Sequence, residues 1–114
     1  MGREYYIIVV RKGTNDELGE AEVTFTKEIH NLGDLCKELV KEDSLVPILA
    51  GLDAFTLLGY TRLNDDGKLE KKIFKSTSLD GSDIDKINGL PSIVIVADIA
   101  PGRHHLQCLS MHLR

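Results

Sequence analysis

Two unbroken runs of apolar, mostly β-branched residues lie near opposite ends of the chain and constrain its fold most strongly. They are Tyr5–Val10 and Ile93–Val96. A strand that is apolar on both faces has to be covered on both faces, so each run is predicted to be a central strand of a sheet. A connection that contains a helix separates the two runs, and we therefore expect them to lie side by side and parallel.

Three further strands are predicted between these runs. The segment from Ala21 to Thr26 alternates with period two and forms a hairpin with the first strand. Its apolar side chains, which we expect to point inward, are Ala21, Val23 and Phe25. Phe55 to Leu63 is predicted as the third strand, with Gly59 as a candidate bulge.

A hairpin turn at Asn64–Gly67 then leads into a return strand from Lys68 to Phe74, whose many charges suit the edge of a sheet. Further on, Ser82 and Asp85 have the spacing that caps a short helical turn, here predicted to run through Ile87.

One segment changes to the period of a helix. Its apolar stripe consists of Leu32, Leu35, Cys36, Leu39 and Val40. Asn31 is predicted as the N-cap, and Pro47 is expected to end the helix or to start a loop. The order of elements predicts an α+β protein with a β-grasp arrangement, in which a mixed sheet of four to five strands packs on one main helix. We assign residues 1–100 to this domain and residues 101–114 to a disordered tail.

The composition limits the classes of partner. The chain has 114 residues, which fits one domain, and a formal net charge of −4. With that charge the molecule as a whole is not attracted to phosphate backbones or acidic membranes, so neither nucleic acid nor a membrane is an expected partner. No apolar run reaches the roughly 18 residues of a membrane span. Cys36 and Cys108 lie in unlike contexts, and we interpret the chain as a reduced, cytoplasmic protein.

The order of elements from about Tyr5 to Ile99 resembles that of the ubiquitin-like superfamily. The segment Ser78–Ile84, which precedes the last apolar strand, is similar to the short turn before the last strand of such domains. The resemblance implies a partner-binding role, because these domains present a sheet face or edge to another protein. Conjugated modifiers of this kind end in two glycines, whereas Ala100–Arg103 contains no such pair, so conjugation is not expected.

The turn Asn64–Gly67 also looks like the acidic turn of PB1 domains and the Asp-Gly turn of CIDE-N domains. Both families associate through an acidic surface on one domain and a basic surface on the next. Further carboxylates continue the motif in PB1 domains, whereas Lys68, Lys71 and Lys72 follow here, which argues against an acidic PB1-type surface. The surroundings of Leu57 are similar to the N-terminal domain of Crinkler effectors.

The basic side chains are concentrated on the second hairpin, and two interpretations of them remain open. The lysines either receive an acidic surface of a protein partner or protect an edge strand against aggregation. Under the first interpretation, the partner-binding residues lie on the sheet face away from the helix and are Arg62, Lys68, Lys71 and Lys72.

Neither metal sites nor catalytic groups are predicted. The acidic residues Asp80, Asp83 and Asp85 lack the spacing of a calcium loop. The tail contains potential zinc ligands, but not at the spacing of a closed site; they are His104, His105, Cys108 and His112. Cys36 with His30 resembles a nucleophile and a base, yet the thiol points to the apolar side of the helix. We therefore expect no metal, no cofactor and no enzymatic activity.

The sequence thus predicts a non-catalytic protein–protein interaction module that binds a partner through its sheet surface. The alternative is an N-terminal delivery or scaffolding domain of a secreted effector whose activity lies elsewhere.

Overall fold

A computed structural model describes residues 3–49, 51–79 and 84–99. The helices and strands in chain order are β1 (Arg3–Arg11), β2 (Glu17–Phe25), α1 (Leu32–Leu39), α2 (Val46–Leu49), a 3-10 helix (Ala54–Thr56), β3 (Leu58–Leu63), β4 (Leu69–Ile73), β5 (Lys86–Ile87) and β6 (Leu90–Ala97).

The two apolar runs form neighbouring parallel strands. β1 pairs with β6 from Tyr6 opposite Ser92 to Arg11 opposite Ala97, which confirms the predicted adjacency and direction. All other strand pairs are antiparallel, and the strand order is β2-β1-β6-β3-β4 with β5 paired to β6 off this path. The described residues therefore form an α+β structure with a mixed sheet of six strands, whereas four to five were predicted. The additional strand, β5, has only two residues.

The helix α1 packs on one face of this sheet and forms the main core. Its fully buried side chains are Leu32, Leu35, Cys36 and Leu39. They meet the inward side chains of the strands, among them Ile7, Val9, Ile93 and Ile95. Burial of each large aliphatic side chain contributes about 1.5–3 kcal/mol. The predicted N-cap is confirmed, since the side chain of Asn31 accepts a hydrogen bond of 2.9 Å from the amide of Asp34. Val40 follows the helix as its C-cap.

The other face of the sheet, called the outer face below, carries a second apolar cluster. Its buried members are Val10, Val94 and Val96, and Ile8, Leu58, Tyr60, Leu63 and Leu69 pack against them.

The β1–β2 and β3–β4 turns touch, because the side-chain amide of Asn15 donates to the carbonyl of Gly67 at 2.9 Å. β2 has a bulge at Leu18. Gly19 pairs with Val9 and Glu17 pairs with Val10, so Leu18 has no partner residue in β1. Such a bulge bends and twists its hairpin.

Three predicted strand positions need correction. The third strand begins at Leu58 rather than at Phe55, because Ala54–Thr56 form a 3-10 helix whose N-cap is Asp53. Gly59 is not a bulge, since it pairs in regular register with strands on both sides. The return strand is shorter than predicted and spans Leu69–Ile73.

Two predicted helix positions also differ. Pro47 does not end a helix but lies at the second position of α2. Proline is tolerated there because amides of the first helical turn have no intrahelical partner. The helical turn expected through Ile87 is instead β5, which forms a hairpin with the start of β6. Ser82, its expected cap, lies outside the described residues.

Candidate partner-binding site

The β3–β4 hairpin that carries the predicted site has a well-bonded turn. The side-chain oxygen of Asn64 accepts hydrogen bonds from the amides of Asp66 at 2.9 Å and Lys68 at 3.0 Å. Gly67 has a φ of 78°, a conformation that glycine adopts without steric cost. The contact of its carbonyl with Asn15 attaches the turn to the neighbouring hairpin. The turn therefore holds Lys68 at a fixed place at the end of the hairpin.

Arg62 differs from the other three predicted residues because its charge is paired within the chain. Its Nε lies 2.9 Å from Oδ2 of Asp85, and its Nη2 donates to Oδ1 of the same carboxylate at 2.9 Å. Its Nη1 lies 3.7 Å from Oε1 of Glu70. The ion pair, with its hydrogen bond from Nη2, attaches the segment before β5 to β3. Arg62 thus belongs to the hairpin, but its guanidinium is already engaged.

The remaining predicted residues, Lys68, Lys71 and Lys72, are exposed. Within the described part of the chain their amines form no ion pair. We call these three residues the basic edge. Lys72 lies opposite Tyr60 and so belongs to the outer face, and its Nζ is 5.6 Å from the centre of the Phe74 ring. That distance fits a cation–π contact.

Lys71 interrupts the edge strand. It has a φ of 52°, the left-handed conformation that is uncommon for a side-chain-bearing residue. It lines a cleft of about 360 Å³ together with Lys72, Thr61, Ile73, Thr77, Ser78 and Ile84. Ile73 and Ile84 belong to the α1 side of the sheet. Lys71 and Lys72 therefore both border this cleft, and Lys72 also belongs to the outer face, where the site was predicted.

The fourth lysine of this hairpin region serves the fold. The Nζ of Lys75 donates to the carbonyl of Phe55 at 3.2 Å and to that of Leu57. The carbonyl of Lys75 accepts from the amide of Gly33 at 2.9 Å, at the start of α1. Lys75 therefore ties three segments together, and its amine is occupied.

The opposite edge of the sheet has the opposite charge. On β2, Glu20 lies opposite Ile8 and Glu22 opposite Tyr6, so both carboxylates belong to the outer face. A hydrogen bond with Glu20 is the main cause that raises the pKa of the Tyr6 hydroxyl above its ordinary value. The sheet is thus acidic along β2 and basic along β4. An acidic surface would be attracted to β4 and repelled by β2.

Cys36 and His30, which the sequence offered as a nucleophile and a base, differ in burial. Cys36 is fully buried, and burial raises the pKa of its thiol to about 11, an effect that the charge of Lys75 only partly offsets. His30 is exposed and lies 3.4 Å from a carboxylate oxygen of Glu28. The buried position of Cys36 agrees with the sequence prediction.

Asp80, Asp83 and the tail residues His104, His105, Cys108 and His112 lie outside the described residues. Asp85 is described and is the ion-pair partner of Arg62. Across residues 3–49, 51–79 and 84–99, no three histidine, cysteine, aspartate or glutamate side chains are grouped closely enough to hold a metal.

The sequence prediction did not single out two exposed aromatic residues, Phe55 and Phe74, as part of the site. They are 73% and 63% exposed, respectively. Phe55 was assigned to the start of the third strand, but it lies in the 3-10 helix and so outside the alternation of β3. Phe74 follows β4, and its place two residues after Lys72, on the same side of the predicted strand, was a sequence signal of its exposure.

Comparisons with protein-family models, with curated proteins and with solved structures found no significant match. No helix among the described residues is both long and apolar enough to cross a membrane.

Proposed function

We propose that this chain is a non-catalytic protein–protein interaction module with a ubiquitin-like β-grasp fold. The strand order β2-β1-β6-β3-β4, with β1 and β6 parallel and α1 in the connection between β2 and β3, supports the assignment of the fold. Fold alone does not determine function, so the functional part of the proposal rests on the surface of the hairpin.

The observation that carries the proposal is the basic edge. Lys68, Lys71 and Lys72 are exposed, have no carboxylate partner in the described structure, and stand on a hairpin whose turn is held by several hydrogen bonds. Lysines on an edge strand also discourage strand pairing, and the conformation of Lys71 adds to that effect. Both roles are compatible, because a partner can contact the lysine side chains without pairing with the strand backbone.

The partner in this proposal is a protein with an acidic surface. Unpaired lysines attract such a surface and set its register, while the acidic β2 edge repels it. Arg62 is the fourth member of the site and acts by positioning, because its contact with Asp85 fixes the hairpin to the segment that precedes β5. A buried free thiol at Cys36 is compatible with a reducing compartment, and we propose a cytoplasmic location.

The test is affinity capture from the native host with the double variant Lys71→Glu and Lys72→Glu. The matched control changes Lys12 and Lys37 to glutamate; both are exposed and lie outside the hairpin, and the change in net charge is the same. We expect the hairpin variant to lose the captured proteins and the control to retain them. Capture of the same proteins by both variants would refute the site.

A further inference from the structure

Phe55 and Phe74 are the large apolar side chains that the described structure leaves exposed. Isolated apolar residues on a surface are normal, but two that adjoin one charged site are characteristic of an interface. Phe74 lies against Lys72, and Phe55 lies on a segment bound by Lys75, the residue after Phe74. We call these two residues the aromatic pair: Phe74 contacts the basic edge at Lys72, and Lys75 joins the segment of Phe55 to that of Phe74.

Phe55 is held outward by a well-bonded turn. Its amide donates to Oδ1 of Asp53 at 2.9 Å, and the amide of Thr56 donates to the carbonyl of Asp53 at 3.0 Å. The hydroxyl of Thr56 donates to the same carbonyl at 2.7 Å. The exposed ring thus projects from an ordered backbone, and little conformational entropy is lost when a partner contacts it.

Phe74 is equally well anchored. Its carbonyl accepts from the amide of Thr77 at 2.9 Å, and the carbonyl of Thr77 accepts from the amide of Leu32 at 3.3 Å. The amine of Lys75 then bonds to the carbonyls of Phe55 and Leu57. The two aromatic segments are therefore joined to each other and to the start of α1.

We propose that the aromatic pair and the basic edge together bind one segment of a partner protein that combines carboxylates with large apolar side chains. The rings supply apolar contact area and the lysines pair with the carboxylates. This inference rests on the proposed function and adds the chemistry of the ligand. An anionic membrane also favours lysines with aromatic rings, but the acidic β2 edge and the net charge of −4 oppose a membrane surface.

A library of displayed random peptides is selected for binding to the full chain. The affinity of each recovered clone is then measured for the protein and for four variants of it. Phe55→Ser with Phe74→Ser removes the rings, whereas Phe55→Leu with Phe74→Leu keeps apolar contacts. The Lys71→Glu/Lys72→Glu variant tests the charge, and the Lys12→Glu/Lys37→Glu variant is its control. Amide spectra of each variant verify that the fold is retained, as expected for changes at exposed positions.

We expect clones that combine Asp or Glu with Leu, Ile, Phe or Trp. The serine variant should bind them about tenfold or more weakly, and the leucine variant should recover part of that loss. Clones that need the lysines but bind the serine variant equally well would overturn this inference and leave the proposed function standing. Clones indifferent to the lysine reversal would overturn both.

Two further results would also overturn the inference. One is a selection that yields no clone dependent on the aromatic pair. The other is co-sedimentation of the protein with phosphatidylserine vesicles that the serine variant loses, since this would assign the rings to a membrane.

Discussion

The side chain of Leu32, at the start of α1, lies directly against the backbone of Gly59 in β3. A Cβ atom added at residue 59 would be 2.6 Å from Cδ2 and 2.9 Å from Cδ1 of Leu32. Leu32 is fully buried, so a Cβ atom at residue 59 would require its side chain to shift within the core. The absence of a side chain at residue 59 therefore sets how closely the helix approaches the sheet.

Replacement of Gly59 by alanine should destabilise the protein by about 1–3 kcal/mol, since the new methyl group overpacks the core. Urea unfolding measures this loss. Leu32→Ala should cost about 2–5 kcal/mol in the native background and clearly less in the Gly59→Ala background, because the smaller side chain makes room for the methyl group. Additive losses in the double variant would show that the two residues do not compete for the same space.

Replacement of Asn31 by alanine should lower the free energy of unfolding by about 1 kcal/mol, because the amide of Asp34 loses its capping acceptor. Asn31→Asp keeps an acceptor and serves as the matched control in the same urea titrations. Equal losses for the two variants would contradict a capping role.

The Arg62–Asp85 pair should contribute little to stability despite its short N–O distances of 2.9 Å, since the two side chains are 40% and 42% exposed. Partly exposed ion pairs contribute about 0.2–1 kcal/mol. A double-mutant cycle with Arg62→Gln and Asp85→Asn should give a coupling in that range, and added salt should reduce it. A coupling of several kcal/mol would mean that the pair is effectively buried.

Cys36 should not react with thiol reagents at neutral pH unless the protein unfolds, because burial holds the pKa of the thiol at about 11. The unfolded thiol ionises near 9.0 while the folded one stays neutral. Between about pH 9 and pH 11 the unfolded state therefore binds fewer protons than the folded state, and stability falls as pH rises, by up to about 1.4 kcal/mol per pH unit from this residue. Cys36→Ala, compared at the same pH values, should show a shallower decline. Parallel declines would contradict this explanation.

The sequence was sufficient for the parts of the fold that local patterns specify. The runs in β1 and β6 are apolar on both faces, so neither run can lie at an exposed position. Asn31 marks the start of α1, and the apolar stripe that follows it marks the buried face of the helix. The 3-10 helix at Ala54–Thr56 and the short β5 were missed although both have local signals. Asp53 caps the 3-10 helix, and the turn at Asn88 and Gly89, with φ values of 55° and 82°, joins β5 to β6. Gly59 was misassigned because its role depends on Leu32, which lies far away in the sequence.

The site was predictable only as a concentration of charge. Sequence spacing cannot distinguish Arg62, whose partner Asp85 lies on another segment, from Lys71 and Lys72, which form no ion pair with the described residues. In the same way, Lys75 follows Lys71 and Lys72 closely in the sequence, but its amine bonds to the carbonyls of Phe55 and Leu57. Which charges are paired depends on tertiary contacts, which the spacing of residues along the chain does not show.

The central claim is that a partner docks on the edge formed by Lys68, Lys71 and Lys72. Amide chemical shifts recorded while the protein is titrated with its strongest captured partner test this most directly. We predict that the largest shifts fall in the β3–β4 turn and in β4, and that the Lys71→Glu/Lys72→Glu variant loses them. Largest shifts in β2 or on the exposed side of α1, unchanged in that variant, would contradict the account.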